Sequence, residues 1–192
     1  MDSPTPPGAM TTTLVLGGVR SGKSRYAEQL LSAHPVVTYV APGYPAAGAD
    51  HEWAARVGRH RSRRPAGWLT VETADVASVI REASTPLLVD CLGMWLTRLI
   101  DGIGGWDTPQ ETSRAVERAT RELADAWREA PTDVVAVTNE VGLGVVPPVA
   151  SGRLFRDELG RLNATIAAMS DQVALVVAGR VLDLSGAAVV LP

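Results

Sequence analysis

The chain has 192 residues, 46% of them apolar and 20% charged, with a net charge of −3; this is the size and composition of one soluble α/β domain able to bury a full core. The slight acidity gives no support for nucleic-acid or membrane binding, and no apolar run approaches the ~20 residues of a membrane span. The single cysteine, Cys91, excludes an intrachain disulfide framework and a cysteine-based zinc site.

Residues 1–10 (MDSPTPPGAM) read as a flexible tail, with Met10 an alternative start. They have neither the basic charge nor the apolar stretch of a signal peptide, and a cytoplasmic location is expected. Residues 12–16 read as a short buried strand and 25–31 as the start of a helix. Between them stands Gly17-Gly18-Val19-Arg20-Ser21-Gly22-Lys23-Ser24, which fits G-x-x-x-x-G-K-[ST]. In a strand–loop–helix setting this octapeptide is a phosphate-binding loop. Its backbone N–H groups converge on phosphate oxygens, Lys23 adds positive charge at the β/γ end, and Ser24 offers a hydroxyl to Mg²⁺.

A second strand is expected over 36–40. The segment that leaves it, 41–50 (APGYPAAGAD), is rich in Gly, Pro and Ala. Ligands of open α/β sheets bind beyond the carboxyl ends of the strands, so this loop is expected to border the nucleotide. Residues 51–65 (HEWAARVGRHRSRRP) read as a helix with Glu52, Arg56, His60 and Arg64 on one stripe. Alone, such a stripe is a solvated face. Beside a phosphate loop it is a natural clamp for a triphosphate. Neighbouring cations keep His60 neutral near neutral pH, and a neutral imidazole is a nucleophile able to attack phosphorus.

A weaker strand over 68–72 and a helix over 75–83 precede the apolar strand 87–91. Asp90 at its end suits a Mg²⁺-associated carboxylate or, alternatively, the N-cap of a helix over 93–100. Cys91 reads as a small core residue. Residues 100–108 (IDGIGGWDT) form a loop that is either functional or a simple connection. The clearest helix is 109–129, with Thr108 as N-cap, Pro109 at the first position, and Val116, Leu123 and Trp127 at helical spacing. After a strand over 133–138, Thr138-Asn139-Glu140-Val141-Gly142-Leu143-Gly144 suggests a turn lining the site. A helix over 150–169 carries Arg156, available to a phosphate or to Glu158. A strand over 173–178 and a last edge strand over 187–191 complete the chain. Continuous apolar strands alternating with helices imply a right-handed, doubly wound, mostly parallel sheet. The fold class is therefore α/β of the P-loop NTPase type, three-layer α/β/α, with a single nucleotide-binding domain over 11–192. There is no N-K-x-D guanine-specificity element and no H-R-D or D-F-G kinase signature.

Five stretches together are specific: 16–25 (LGGVRSGKSR), Tyr39-Val40-Ala41, 54–65 (AARVGRHRSRRP) with Trp68 and Glu72, 138–147 (TNEVGLGVVP), and 155–163 (FRDELGRLN) leading to Ala178-Gly179. In this order they resemble the bifunctional adenosylcobinamide kinase / adenosylcobinamide-phosphate guanylyltransferase family of cobalamin biosynthesis. The resemblance implies a RecA-like sheet and two reactions. ATP or GTP phosphorylates the aminopropanol hydroxyl of adenosylcobinamide. GTP then transfers GMP to adenosylcobinamide phosphate through a guanylyl-histidine, giving adenosyl-GDP-cobinamide and pyrophosphate. Carried over, His60 and Lys23 are the catalytic residues, and Gly17 to Ser24 hold the phosphates. Ala41, Pro42, Gly43, His60, Arg61, Ser62, Arg63, Glu72 and Asp90 contact GTP, and Ser24 and Asp90 serve Mg²⁺. The resemblance also implies a homotrimer.

The chain departs from the pattern in three places. Pro42 and Gly43 replace hydroxyl-bearing residues, Arg59-His60 stands where some relatives have two histidines, and Asp90 is a glutamate in some relatives. Trp53 and Trp106 are the candidates for a corrinoid surface, and the base for the substrate hydroxyl is left unassigned. Two other readings stay open at this point: a kinase that has lost guanylyl transfer, and a nucleotide-dependent binding module with slow hydrolysis.

Overall fold

The computed structural model of the chain describes residues 10–45, 58 and 64–190. The continuous apolar runs form strands buried on both faces, because successive strand side chains point to opposite sides. Leu14, Leu87, Val89, Val134 and Ala136 enter one core layer; Val15, Leu88, Val135 and Val137 enter the other.

In chain order the elements are β1 (Thr12–Gly17), α1 (Lys23–Leu30), β2 (Thr38–Ala41), β3 (Leu69–Glu72), α2 (Val76–Arg81), β4 (Leu87–Asp90), α3 (Leu92–Gly102), a short 3-10 turn (Gly105–Asp107), α4 (Pro109–Arg128), β5 (Val134–Asn139), α5 (Ala150–Met169), β6 (Gln172–Val177) and β7 (Arg180–Asp183). The sheet order is β3-β2-β4-β5-β1-β6-β7. The first six strands of that order pair in parallel, and β7 pairs antiparallel with β6. Helices α2 to α5 cover one face, with Ile80, Leu96, Leu123, Leu159 and Ile166 in the core. Helix α1 covers the other through Ala27 and the neighbouring Leu31. This is the α/β P-loop architecture expected. One strand, β5, stands between the loop-bearing β1 and the acid-bearing β4. No helix among the described residues is long and apolar enough to cross a membrane.

Most expected boundaries shift by one or two residues, and α5 spans the expected range. The edge strand is the main correction. It lies at Arg180–Asp183, and residues 187–190 form no strand. Ala178 (φ 49°) and Gly179 (φ 73°) both adopt left-handed backbone. Positive φ at both central positions is the two-residue turn that returns a strand at once, so β6 folds back directly onto β7. Thr108 does precede α4, with Pro109 in its first turn, but its side chain makes no capping bond. The segment 100–108 is part helix and part turn: α3 runs on to Gly102, and the 3-10 turn docks through Thr112, whose hydroxyl donates to Gly105 O at 2.6 Å. The tail over 1–9, most of the segment 51–65, and residues 191–192 lie outside the described residues.

Candidate active site

The phosphate loop turns sharply out of β1. Gly22 (φ 102°) caps α1, and Arg20 also has positive φ (58°). Gly17 is needed for packing: a Cβ there would lie 2.5 Å from Ser21 Oγ and 2.7 Å from the Val176 backbone oxygen. Neighbouring elements tether the loop. Gly179 N donates to Ser21 O at 2.9 Å and Glu140 N to Gly17 O at 3.2 Å. Lys23 is buried, and its Nζ donates to Gly18 O at 3.2 Å. The backbone donors and the α1 N-terminus give the loop its anion-binding character.

Beside the loop lies a cleft of about 230 Å³. Val19, Lys23 and Ser24 line one end. Ala41 at the end of β2, Gly43 just beyond it, Glu72 of β3 and Asp90 of β4 line it too. These predicted site residues, scattered over the sequence, thus converge at the carboxyl ends of the strands. Pro42 is not part of the lining; its carbonyl and that of Gly43 accept from Arg98 at 3.4 and 3.2 Å. His60, Arg61, Ser62 and Arg63 lie outside the described residues, as do Glu52, Trp53 and Arg56.

Asp90 does not cap α3, whose N-cap is Cys91. Its Oδ2 accepts from the Tyr39 hydroxyl at 3.0 Å. Tyr39 is buried, and burial followed by the Asp90 charge pushes its hydroxyl well above the ordinary value. It therefore stays protonated and donates. The guanidinium carbon of Arg64 sits 3.2 Å from the centre of the Tyr39 ring, and Arg64 Nη1 donates to Thr70 Oγ1 at 2.9 Å. Sequence alone assigned Tyr39 no role beyond its strand and motif, because a tyrosine inside an apolar strand looks like core and β3 separates it in sequence from the strand that carries Asp90. Cys91 lines the cleft as well, and burial together with Asp90 pushes its thiol up to about 11.

The donor set fits magnesium. A serine hydroxyl and a carboxylate face one cleft, and Mg²⁺ is commonly held by one or two protein oxygens completed by phosphates and water. Among the described residues no group of three or more His, Cys, Asp or Glu could cage a metal alone.

On the far side, the two later motifs are bonded to each other. Buried Thr138 donates to Asn163 Oδ1 at 2.7 Å, and Asn163 Nδ2 donates to Asn139 O at 3.0 Å. Of the turn expected to line the site over 138–144, only Asn139, the last residue of β5, lines the cleft. Arg156 does not pair with Glu158. Its Nη2 donates to Gly142 O at 2.7 Å, while Glu158 takes Ser113 and Arg161. The reason is helical geometry: three residues apart, Arg161 shares a face with Glu158, and two apart, Arg156 does not. Trp106, packed at the core, donates from Nε1 to Asp101 Oδ1 at 2.5 Å and does not line the cleft.

Comparison with known proteins gives a consistent picture. The sequence model of the family described as "Cobinamide kinase / cobinamide phosphate guanyltransferase" matches residues 13–184. The chain is 39% identical over 180 residues to "Bifunctional adenosylcobalamin biosynthesis protein CobU" of Salmonella typhimurium, covering 86% of this chain and 95% of the relative. It is 39% identical over 175 residues to the protein of the same name in Escherichia coli, covering 86% and 95%. It is 40% identical over 178 residues to "Bifunctional adenosylcobalamin biosynthesis protein CobP" of Pseudomonas aeruginosa, covering 90% and 96%.

Proposed function

Because the chain belongs to the cobinamide kinase / cobinamide phosphate guanyltransferase family, we propose that it carries out both reactions of that name. It phosphorylates the aminopropanol hydroxyl of adenosylcobinamide with ATP or GTP. It then transfers GMP from GTP to adenosylcobinamide phosphate. The observation that carries this reading is the cleft where Lys23, Ser24 and Asp90 meet beside a phosphate loop, in a chain whose family match runs over nearly its whole length.

In the first reaction the substrate oxygen bonds to the γ-phosphorus as the bond to the β-bridging oxygen breaks. Lys23 and the loop amides hold the phosphates where negative charge is greatest. Magnesium, when bound at Ser24 and Asp90, neutralises phosphate charge. Tyr39 orients the Asp90 carboxylate through their hydrogen bond. In the second reaction His60 attacks the α-phosphorus of GTP, pyrophosphate leaves, and a phosphoramidate forms. An oxygen of adenosylcobinamide phosphate then displaces the histidine. One hard transfer is thus split into two easier ones. The role of His60 is carried over from the family motif, as are the GTP contacts of Ala41, Pro42, Gly43, Arg61, Ser62, Arg63 and Glu72.

The enzyme is placed in the cytoplasm, the compartment that supplies nucleoside triphosphates, and is taken to be a homotrimer. A segment of bare aliphatic residues supports association: Leu143 is 85% and Val145 94% exposed. Such patches mark interaction surfaces. Arg153 and Arg156 hold this segment to α5 through the carbonyls of Pro147, Pro148 and Gly142.

The test is incubation with α-labelled GTP and Mg²⁺, followed by denaturation. Acid-labile, alkali-stable label on the protein is expected, and none on His60→Ala. An unlabelled wild-type protein removes the guanylyl-transfer reading and leaves a kinase or a binding module. Label that survives in His60→Ala removes the nucleophile assignment.

A further inference from the structure

The cleft has two unlike halves. Lys23 and Ser24 mark the end where the γ-phosphate and magnesium belong. The lining of the cleft includes the carboxyl ends of β5, β4 and β2, at Asn139, Asp90 and Ala41. None of its described lining residues comes from β6 or β7. Attacking and leaving oxygens stay in line during phosphoryl transfer. With the γ end facing Asp90, the leaving group lies back along the loop, and an acceptor enters over β4.

The wall on that side is apolar. Cys91, Met94 and Thr97 recur at every third residue around the start of α3 and line the cleft. The Thr97 hydroxyl is turned back onto Gly93 O at 3.0 Å. Phe155 of α5, the only phenylalanine in the chain, lines the same cleft. A methyl group added to Gly93 would stand 3.9 Å from its Cζ, in ordinary van der Waals contact, so the bare glycine leaves about a methyl's width between helix and ring. At the mouth Tyr44 is fixed to α3: its hydroxyl donates to Asp101 Oδ2 at 2.6 Å, and Arg98 lies 5.6 Å from its ring centre. A wall of methionine, phenylalanine and a self-satisfied threonine has nothing to offer a triphosphate. It suits a neutral aliphatic chain.

We infer that this wall, to which Met94 and Phe155 both contribute, is the acceptor subsite. It takes the neutral, amide-linked hydroxypropyl arm of the corrinoid and directs its hydroxyl toward Lys23. The inference rests on the kinase reaction proposed above.

The test compares wild type, Phe155→Ala, Phe155→Leu and Met94→Ala. Cobinamide binding is measured by calorimetry with MgADP present, and MgADP affinity is measured separately. Phe155→Ala is expected to weaken cobinamide binding about tenfold or more, since the partly buried ring offers contact area that alanine lacks. Phe155→Leu restores most of the loss, and MgADP affinity stays at the wild-type value. Cobinamide bound as tightly by Phe155→Ala as by wild type overturns the inference. So does a parallel fall in MgADP affinity, which assigns the wall to the nucleoside. Met94→Ala is judged by the same two readouts, so a Phe155→Ala protein that fails to fold does not shield the inference. A wild-type protein that neither binds cobinamide nor takes label from GTP overturns the functional reading itself, and the subsite with it.

Discussion

The Cys91 thiol lines the cleft next to Asp90, and burial with that neighbouring charge pushes it up to about 11. Because the neutral form is the one stabilised, thiolate appears only as pH rises toward that value. Iodoacetamide is therefore expected to modify Cys91 slowly at neutral pH, the rate rising about tenfold per pH unit until the thiol titrates. Mass spectrometry of the alkylated peptide checks this; fast modification at neutral pH would show an activated thiol instead. The same neighbourhood explains what residue types alone conveyed. Asp90 was legible as a candidate acid because carboxylates are uncommon at the end of a buried run, and the structure sets it in the cleft. Its partner Tyr39, 51 residues away in sequence, was not. A tyrosine in a strand reveals its hydroxyl's partner only when the neighbouring strand is known.

The strand–loop–helix unit at the start of the chain is the element that sequence describes best, because its chemistry is local. Its tightest point is Gly17, where added bulk meets the Val176 backbone oxygen at 2.7 Å, and a neighbouring strand cannot yield as a side chain can. Gly17→Ala is expected to cost about 1–3 kcal/mol of stability and to abolish MgADP binding by displacing the loop. Urea denaturation and calorimetry measure the two effects, and a Gly17→Ala variant that binds MgADP normally would refute the packing account. Helix α5 was legible to both ends, since prolines precede it at 147 and 148 and its apolar residues recur at helical spacing. Strand β7 was not. Its turn is Ala-Gly, and nothing in that pair announces that the alanine takes positive φ; pairing with β6 decides it.

Across the whole molecule, the exposed segment around Leu143 and Val145 is the feature that a lone chain leaves unexplained. Light scattering on the purified protein is expected to give a particle three times the 20.2 kDa chain. A monomer peak at working concentration would rule out the trimer. The sheet order also accounts for the site. Strand β5 sits between β1 and β4, and α5 fastens its end through Asn163 to Thr138 and Asn139, which sets the loop, Asn139 and Asp90 in one row. By itself the sequence determined the phosphate loop, the alternation of strands and helices, and the family motifs, because each depends on residues a few positions apart. Only the tertiary structure decided that Tyr39 meets Asp90 and Arg64, that Arg156 serves Gly142 rather than Glu158, and that Met94 and Phe155 line one cleft. Those pairings cross between strands and helices, and which strand neighbours which is settled by packing two core layers against one sheet, not by any local pattern.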